Sequence, residues 1–292
     1  MRASFVIVNY NRKDELLLTI SKTKDIIRNT SGEFEIIIVD NASVDESVDA
    51  IKVNHPDVVL IENPVNTGAP AWNLGLAKAK GKYFIILDDD SHINSGLEEA
   101  LKYFDAHDYI GVLALNISGG LYQTKHWIDL EEKDGFIGCG AIIRKDLYDK
   151  IGGYADWIFL YTNEWDYGIR CMEAGYKVIY FAKCYVTHRA STINRTSKRL
   201  IVFSVRNEMA IVYKYFSKET RDKFVRRVFL NNLKGIWRYG ITSIGWYYTA
   251  WQEFEKLKQS LQHTPVRKEI QDAYQRRFWS TRGFFKDLFA KA

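Results

Sequence analysis

Three consecutive aspartates, Asp88, Asp89 and Asp90, follow an apolar run that covers residues 83–87. In an extended chain alternate side chains point the same way, so Asp88 and Asp90 are expected to face one point and Asp89 the opposite side. Two carboxylates at one point repel each other unless a hard divalent cation binds them, and a cation with only two carboxylate ligands can also bind phosphate oxygens. The run therefore predicts a metal-diphosphate site, although three acidic residues alone are equally typical of a solvated turn.

Polar residues also end two earlier apolar runs, with Asn9 and Asn11 after the first and Asp40 and Asn41 after the second. Ligands of parallel α/β sheets bind at the carboxyl ends of the strands. A carboxylate such as Asp40 can accept a hydrogen bond from a base N–H, and the amides can serve base or ribose. Each residue singly also suits a turn or helix cap, but three polar strand ends together favour a nucleotide site. The chain has no GxGxxG after its first strand and no GxxxxGK[ST], which leaves a metal on the aspartates as the candidate for holding phosphate.

Glu164 is the candidate general base. Asn163 suits a helix N-cap and Gly175 a helix end, so Glu164 is expected in the first turn, where the helix dipole favours an ionised carboxylate. Such a group at the edge of a pocket can accept a proton from an attacking hydroxyl. Asp166 points elsewhere on the helix, and both acids can equally serve only to stabilise the helix N-terminus.

Two further positions can take part in ligand binding. His188 ends a strand-like run, and its imidazole can complete a metal shell if that strand end lies beside the aspartates; a lone histidine is otherwise a structural hydrogen-bonding group. Gly138 and Gly140 flank Cys139, and such glycines permit close approach of the backbone to a ligand or form a tight turn.

Short apolar runs alternate with helical stretches over the first two thirds of the chain, which predicts an α/β fold with a mostly parallel sheet covered on both faces. From residue 196 onward helical periodicity replaces the strand pattern. We therefore expect a catalytic domain over residues 1–195 and an α-helical extension over residues 196–292.

Composition narrows the class of protein. The chain has 292 residues, of which 47% are hydrophobic, so it can form a packed core. Its three widely spaced cysteines include no CxxC pair, which argues against a disulfide framework or a zinc site and favours a reducing compartment. The sequence shows neither a signal peptide nor a run of the roughly 18 apolar residues needed to span a membrane. We expect a cytoplasmic protein.

The net charge of +5 is divided unevenly along the chain. Residues 195–292 contain 21 Lys and Arg against 8 Asp and Glu, whereas the preceding residues contain 20 and 28. Basic residues accompany aromatic ones in residues 226–230, 235–239, 244–248 and 276–289, a pattern that suits an anionic membrane surface. The aromatics can equally pack against the catalytic domain or a second subunit. Nucleic acid is disfavoured, because no nucleic-acid motif is present and the N-terminal part is acidic.

Taken in order, the motifs resemble the inverting glycosyltransferases of family 2 with the GT-A fold, over about residues 4–191. The resemblance rests on Val6-Ile7-Val8-Asn9-Tyr10-Asn11, Ile38-Val39-Asp40-Asn41-Ala42-Ser43, Asn66-Thr67-Gly68 with Asn73-Leu74-Gly75, Leu87-Asp88-Asp89-Asp90, Gly152-Gly153-Tyr154, and Asn163-Glu164-Trp165-Asp166 with Arg170 and Ala174-Gly175-Tyr176. The Asp40-Asn41-Ala42-Ser43 form and Val205-Arg206-Asn207 are similar to the rhamnosyltransferase and galactofuranosyltransferase branch.

The resemblance implies transfer of a sugar from a dTDP- or UDP-sugar to a hydroxyl of a glycan or lipid-linked acceptor in cell-envelope polysaccharide synthesis, and the branch suggests rhamnose or galactofuranose as that sugar. It implies Mn²⁺ or Mg²⁺ as cofactor and Glu164 as the base of a single inverting displacement. Many relatives have Glu-Asp where this chain has Asn163-Glu164. The implied nucleotide-sugar contacts are Asn9, Asn11, Asp40, Asn41, Asn73, Asp88 and Asp89. The implied metal ligands are Asp88, Asp90 and His188. The acceptor pocket is expected to include Gly138, Cys139, Gly140, Trp165 and Asp166.

Two other interpretations keep the same features. A catalytically silent nucleotide-sugar-binding or scaffolding protein would share the fold, although it would not require Asp88, Asp90, Glu164 and His188 together. A nucleotidyltransferase also uses a metal and carboxylates, but no basic phosphate loop is visible. For the enzyme we expect peripheral contact with the inner face of the membrane through residues 196–292, and a homo-oligomer is compatible with the sequence.

Overall fold

The computed structural model describes residues 1–120, 123–189 and 196–280, with side chains to residue 276. The chain forms two compact units. The first consists of Met1–Phe159 and Asn163–Ile193, and the second of Leu160–Thr162 and Asn194–Ala292.

The first unit is built around a nine-stranded sheet. Its strands are β1 (Ala3–Asn9), β2 (Phe34–Asn41), β3 (Val59–Asn63), β4 (Tyr83–Asp88), β5 (Ser91–Ser95), β6 (Ile110–Ser118), β7 (Glu132–Lys133), β8 (Ala141–Arg144) and β9 (Lys177–His188). They lie in the order β3-β2-β1-β4-β8-β6-β9-β5, and β7 pairs with β9.

The expected parallel pairing is found among β3, β2, β1 and β4, and again between β6 and β9. β8 is antiparallel to both of its neighbours, and β5 and β7 are antiparallel to β9. A short strand buried on both faces is a continuous apolar run in either orientation, so the sequence pattern does not distinguish these pairings.

In its described residues the first unit has six helices: α1 (Lys13–Arg28), α2 (Ser47–Asn54), α3 (Ala71–Lys78), α4 (Leu97–Asp105), α5 (Lys145–Ile151) and α6 (Asn163–Glu173). Alternate residues of each central strand join different apolar clusters, as the strand period requires. In β1, Phe5 and Ile7 pack with Leu16 of α1, whereas Val6 packs in the cluster that contains Leu76 of α3 and Tyr167 of α6. The sheet is therefore covered on both faces.

The second unit is helical in its described part, as the sequence predicts. Its helices are α7 (Ser197–Tyr215), α8 (Lys218–Asn232), α9 (Ile236–Tyr239), α10 (Ile244–Lys258) and α11 (Lys268–Ser280). α7 lies against α8 and α10, and single 3₁₀ turns flank the short α9. Among the helices of the described residues, none combines the length and the apolar character needed to cross a membrane.

Parallel register brings the polar strand ends to one edge of the sheet, as predicted. Asn9 pairs with Asp40 across β1 and β2, and Val8 pairs with Asp88 across β1 and β4. The site is assembled at this edge.

Candidate active site

The three aspartates lie where β4 passes into β5. β4 ends at Asp88, and Asp89 and Asp90 form a turn, in which the Asp88 amide donates to Ser91 Oγ at 2.9 Å. The chain is thus not extended through the three residues, and the expected strand alternation does not apply to Asp89 and Asp90. The turn nevertheless places Asp88 and Asp90 on the same side, with His188.

His188 reaches the aspartates because β5 pairs with β9, which sets Ser91 opposite His188. His188 Nε2 lies 3.1 Å from Asp90 Oδ1 and 3.9 Å from Asp88 Oδ2. Gly120, with a φ of +73°, leaves room for the imidazole, since a Cβ at this position would lie 2.4 Å from His188 Nδ1. The structure therefore brings together all three predicted metal ligands.

Two carboxylates and an imidazole suit a divalent cation such as Mn²⁺. Asp90 is fully buried, whereas the Asp88 side chain is 27% exposed and gives the group an open side. Cys139, assigned from the sequence to the acceptor pocket, lies beside the metal ligands: its Sγ and one ligand atom each of Asp88 and His188 lie within 4.8 Å of one another. A thiol is a softer ligand than Mn²⁺ or Mg²⁺ prefers, so the carboxylates and the imidazole carry the metal assignment.

Asp89 faces the end of β1. Its carboxylate accepts hydrogen bonds from the Tyr10 amide at 3.2 Å and from Arg12 Nη1 at 2.9 Å. Arg12 Nη1 also donates to Asp90 Oδ2 at 3.0 Å. Burial raises the pKa of Asp89 to about 7, although the charge of Arg12 lowers it. Burial lowers the pKa of Arg12, but the charges of Asp89 and Asp90 outweigh it, and the pKa lies above its usual value.

Sequence reasoning missed Arg12 and Arg189. Arg189 Nη2 donates to Thr19 Oγ1 at 2.6 Å and to the Asp89 carbonyl at 3.2 Å, and its Nη1 contacts His92 Nδ1 at 2.7 Å. The residue after His188 thus connects α1, β5 and the aspartate turn. The only sequence signal was adjacency, since Arg12 follows Asn11 and Arg189 follows His188.

A second group of side chains surrounds Asp40. Its carboxylate accepts from Asn9 Nδ2 and from the Ser43 amide, both at 2.9 Å. Asn11 belongs to the same group, because its amide donates to Ser43 Oγ at 2.9 Å while its Oδ1 accepts from the Val44 amide. Asn9 Oδ1 is buried and accepts no hydrogen bond from the residues that the structure describes. This oxygen can accept a hydrogen bond from a ligand N–H.

Asn41 and Asn73 are used to hold loops. Asn41 Oδ1 accepts from Asn63 Nδ2 at 2.9 Å and from the Thr67 amide at 3.1 Å. Asn73 on α3 bonds both backbone groups of Tyr154, with Nδ2 to the carbonyl at 2.8 Å and Oδ1 from the amide at 2.7 Å. Direct nucleotide contact by these two asparagines stays a prediction.

Glu164 lies in the first turn of α6, as predicted. Its Oε1 accepts a hydrogen bond from the Gly138 amide at 3.0 Å. A Cβ on Gly138 would lie 2.5 Å from that oxygen, so the close approach depends on glycine. Trp165, the next residue, packs its ring against Gly135.

Asp166 and Gly140, by contrast, lie in packed surroundings, and their expected place in the acceptor pocket stays a prediction. Asp166 is fully buried and accepts from Arg170 Nε at 2.8 Å, while Arg170 also donates to the carbonyls of Ile151 and Gly153. A Cβ on Gly140 would lie 3.1 Å from atoms of the buried Ile117 and Val186. The structure does not place either residue at an open pocket.

Tyr154 packs against α6, since its ring centroid lies 5.4 Å from that of Tyr167. Burial raises its pKa well above the usual value, and the charges of Glu164, Tyr167 and Asp88 raise it further. Its buried hydroxyl has no hydrogen-bond partner among the described residues. Glu164 and Asp88 are linked by the loop that precedes β8, because the Gly138 amide donates to Glu164 and the next residue, Cys139, lies beside Asp88 and His188.

Comparison with known proteins identifies relatives over about a third of the chain. The poly(ribitol-phosphate) beta-glucosyltransferase of Bacillus spizizenii is 35% identical over 113 residues, which are 36% of this chain and 17% of that protein. WfaP of Escherichia coli, a UDP-Glc:alpha-D-GlcNAc-diphosphoundecaprenol beta-1,3-glucosyltransferase, is 35% identical over 91 residues, 30% of this chain and 35% of WfaP. The chain thus matches only a small part of the length of these relatives.

Solved structures share the fold at low sequence identity. Staphylococcus aureus TarS 1-349 in complex with UDP-GlcNAc has a TM-score of 0.62 and 16% identity, and the match covers 94% of this chain and 84% of TarS 1-349. The mannosyltransferase PcManGT of Pyrobaculum calidifontis, in complex with GDP-Man and Mn²⁺, has a TM-score of 0.57 and 16% identity, with coverage of 89% and 75%. The expected GT-A fold, followed by C-terminal helices, is confirmed.

The family model for Glycosyl transferase family 2 matches residues 4–166, more than half of the chain. This range contains the Asp40 group, the aspartate turn and Glu164. The finer similarity to the rhamnosyltransferase and galactofuranosyltransferase branch stays a prediction. The chain belongs to glycosyl transferase family 2.

Proposed function

We propose that this protein is an inverting, metal-dependent glycosyltransferase that moves a sugar from a UDP-sugar to a hydroxyl of a cell-envelope glycan or lipid-linked acceptor. One observation carries the proposal: Asp88, Asp90 and His188 converge at a sheet edge that also contains the Asp40 group, and the Gly138-Cys139 segment links Glu164 to Asp88. A diphosphate site, a nucleotide site and a base are the three parts that such a transfer requires.

The donor follows from the Asp40 group and the relatives. Asp40 and the open acceptor Asn9 Oδ1 offer hydrogen-bonding groups of the kind that a pyrimidine base can use. WfaP is named for UDP-Glc, and TarS is crystallised with UDP-GlcNAc, which favours UDP over dTDP. Rhamnose and galactofuranose have no support beyond the sequence motifs.

Each reacting group has a residue to handle it. Asp88, Asp90 and His188 would hold the cation, Mn²⁺ or Mg²⁺, which when bound neutralises charge on the leaving diphosphate. The Gly138 amide orients the Glu164 carboxylate. Glu164 takes the proton from the acceptor hydroxyl. At the same time the oxygen of that hydroxyl bonds to the anomeric carbon, and the bond from that carbon to the diphosphate oxygen breaks. Because attack and departure occur on opposite faces, the configuration inverts.

The acceptor is proposed from the relatives' names, which specify poly(ribitol-phosphate) and a sugar on diphosphoundecaprenol. Both are envelope components, and the second is lipid-linked. We place the reaction in the cytoplasm at the inner face of the membrane, because a lipid-linked acceptor would present its sugar at the membrane surface.

The test is a thermal-shift and hydrolysis screen of UDP-, dTDP- and GDP-sugars with and without Mn²⁺, using wild type and Glu164→Gln. We expect stabilisation by UDP-sugars that requires Mn²⁺ and slow release of UDP. Glu164→Gln should keep the stabilisation and lose about 10²- to 10⁴-fold in transfer to added acceptors. Stabilisation with no turnover in wild type on glycan or lipid-linked acceptors would favour a binding protein. Absence of response to any donor would overturn the site.

A further inference from the structure

An exposed apolar face lies in the second unit, where the chain leaves α8, passes through α9 and enters α10. Trp237 is 89% exposed and Ile241 is 76% exposed. We call this surface the aromatic-basic face, and its apolar members are Leu230, Trp237, Ile241, Ile244 and Tyr248. Ile244 and Tyr248 are four residues apart on α10 and therefore share one side of that helix.

The same stretch of chain has no acidic residue. Residues 223–252 contain five cations, Lys223, Arg226, Arg227, Lys234 and Arg238, and no Asp or Glu. Arg226 and Arg238 have exposed side chains. This stretch therefore combines exposed apolar side chains with positive charge.

The face is exposed although its supports are packed. Val228 and Tyr247 in the same stretch of chain are buried, and Phe229 contacts Trp251 edge to face with ring centroids 4.9 Å apart. A Cβ on Gly235 would lie 2.1 Å from the Tyr247 hydroxyl, so the bend before α9 is closely packed. Part of the aromatic content thus packs within the second unit itself, and the rest is exposed.

We propose that the aromatic-basic face binds an anionic phospholipid bilayer. Trp and Tyr suit the headgroup region, Ile and Leu the acyl boundary, and Arg and Lys the phosphate groups. A second copy of the chain fits less well, because a symmetric contact through this face would set like charges together. Nucleic acid would match the charge but offers no apolar surface to Ile241 and Ile244. The proposal deepens the proposed function, since a lipid-linked acceptor would lie in the same bilayer.

The experiment measures partition of the full chain onto vesicles of equal parts phosphatidylglycerol and phosphatidylcholine, and onto phosphatidylcholine alone, with no donor or acceptor present. Failure of binding is thus separate from failure of transfer. Trp237→Ala/Ile241→Ala should lower the partition coefficient at least about tenfold. The matched control is Val53→Ala/Ile128→Ala, which removes two side chains that are 77% and 69% exposed in the first unit and should bind as wild type does.

The charge contribution is tested by Arg226→Gln/Arg238→Gln. The partition coefficient of this variant on the anionic vesicles should fall about fivefold for each arginine replaced. Added salt should weaken wild-type binding, and this variant decides the matter if the apolar one does not fold. The proposal would be overturned if wild type bound the anionic and the neutral vesicles equally well. It would also be overturned if wild type, the Trp237/Ile241 variant and the Arg226/Arg238 variant all bound equally. A dimer in lipid-free solution that Trp237→Ala/Ile241→Ala converts to monomer, or polynucleotide binding of equal strength at the same salt, would overturn it as well.

Discussion

Two clusters of polar side chains meet at the carboxyl ends of the strands, and they differ in charge balance. The Asp40 carboxylate is surrounded by neutral donors, the Asn9 amide and the Ser43 N–H. In the other cluster three consecutive carboxylates, residues 88–90, lie together, where Arg12 pairs with Asp89 and Asp90 and the His188 imidazole lies beside Asp90. The first cluster holds a single carboxylate with neutral donors, whereas the second brings three carboxylates together beside a guanidinium. This difference suits the first to a nucleotide base and the second to a cation.

The largest effect is expected from Asp90→Asn, which nearly preserves shape. Asp90 is fully buried between Arg12 and His188, so its loss removes a charge that no neighbouring side chain can replace. Transfer should fall on the order of 10³-fold, because a metal contributes several kcal/mol to stabilisation of the transition state. Mn²⁺ titration by calorimetry should show weakened binding in parallel. Unchanged Mn²⁺ affinity would contradict the assignment of this cluster to the cation.

Asp40→Asn is the matching change in the Asp40 group. Asn9 Nδ2 and the Ser43 amide donate to different oxygens of the Asp40 carboxylate. Asparagine has only one side-chain oxygen, so one of these two hydrogen bonds is lost. UDP affinity should fall about 10- to 100-fold, the equivalent of one or two buried hydrogen bonds. Calorimetry with UDP and with Mn²⁺ separates the two clusters. If Mn²⁺ affinity fell as much as UDP affinity, the clusters would not be chemically distinct.

Sequence reasoning predicted the strand ends because β1, β2 and β4 are continuous apolar runs that stop at polar residues. It predicted that Asp88 and Asp90 converge, but for the wrong local reason, since a turn and not strand alternation brings them together. The convergence was predictable because both carboxylates lie within three residues of one another.

Long-range partners could not be predicted in the same way. Arg12 meets Asp89 across 77 positions, and Asn73 meets Tyr154 across 81. Local spacing contains no information about such contacts, which depend on the register of neighbouring strands and on loop packing. Asp166 was expected in the acceptor pocket because of its place near Glu164 in the sequence, and its ion pair with Arg170, which also donates to the Gly153 carbonyl, is a contact that this reasoning did not include.

Arg12→Met tests the charge balance directly. The change leaves the buried Asp89 and the fully buried Asp90 without their shared cation, so unfolding free energy should fall by about 3 kcal/mol in EDTA. Mn²⁺ should restore more stability to this variant than to wild type, because the added cation then has more uncompensated charge to neutralise. Urea unfolding with EDTA and with Mn²⁺ provides the comparison. An equal gain from Mn²⁺ in both proteins would show that Arg12 does not offset the charge of this cluster.

The smallest effect is expected at a carboxylate outside both clusters. Glu98 forms an ion pair with Arg2 and accepts a hydrogen bond from the Ser31 amide. The hydrogen bond from Arg2 is the main cause that lowers the pKa of Glu98 to about 2 from 4.5. A lowered pKa stabilises the fold above the unfolded value and ceases to do so as pH falls through the folded value. Glu98→Gln should therefore cost about 1 kcal/mol at pH 7, and the difference from wild type should shrink between pH 4.5 and pH 2. Mn²⁺ should not change that difference, and urea midpoints across this pH range measure it. A difference that grew on acidification, or one that responded to Mn²⁺, would mean that Glu98 is not an ordinary matched carboxylate and cannot serve as the reference for the two clusters.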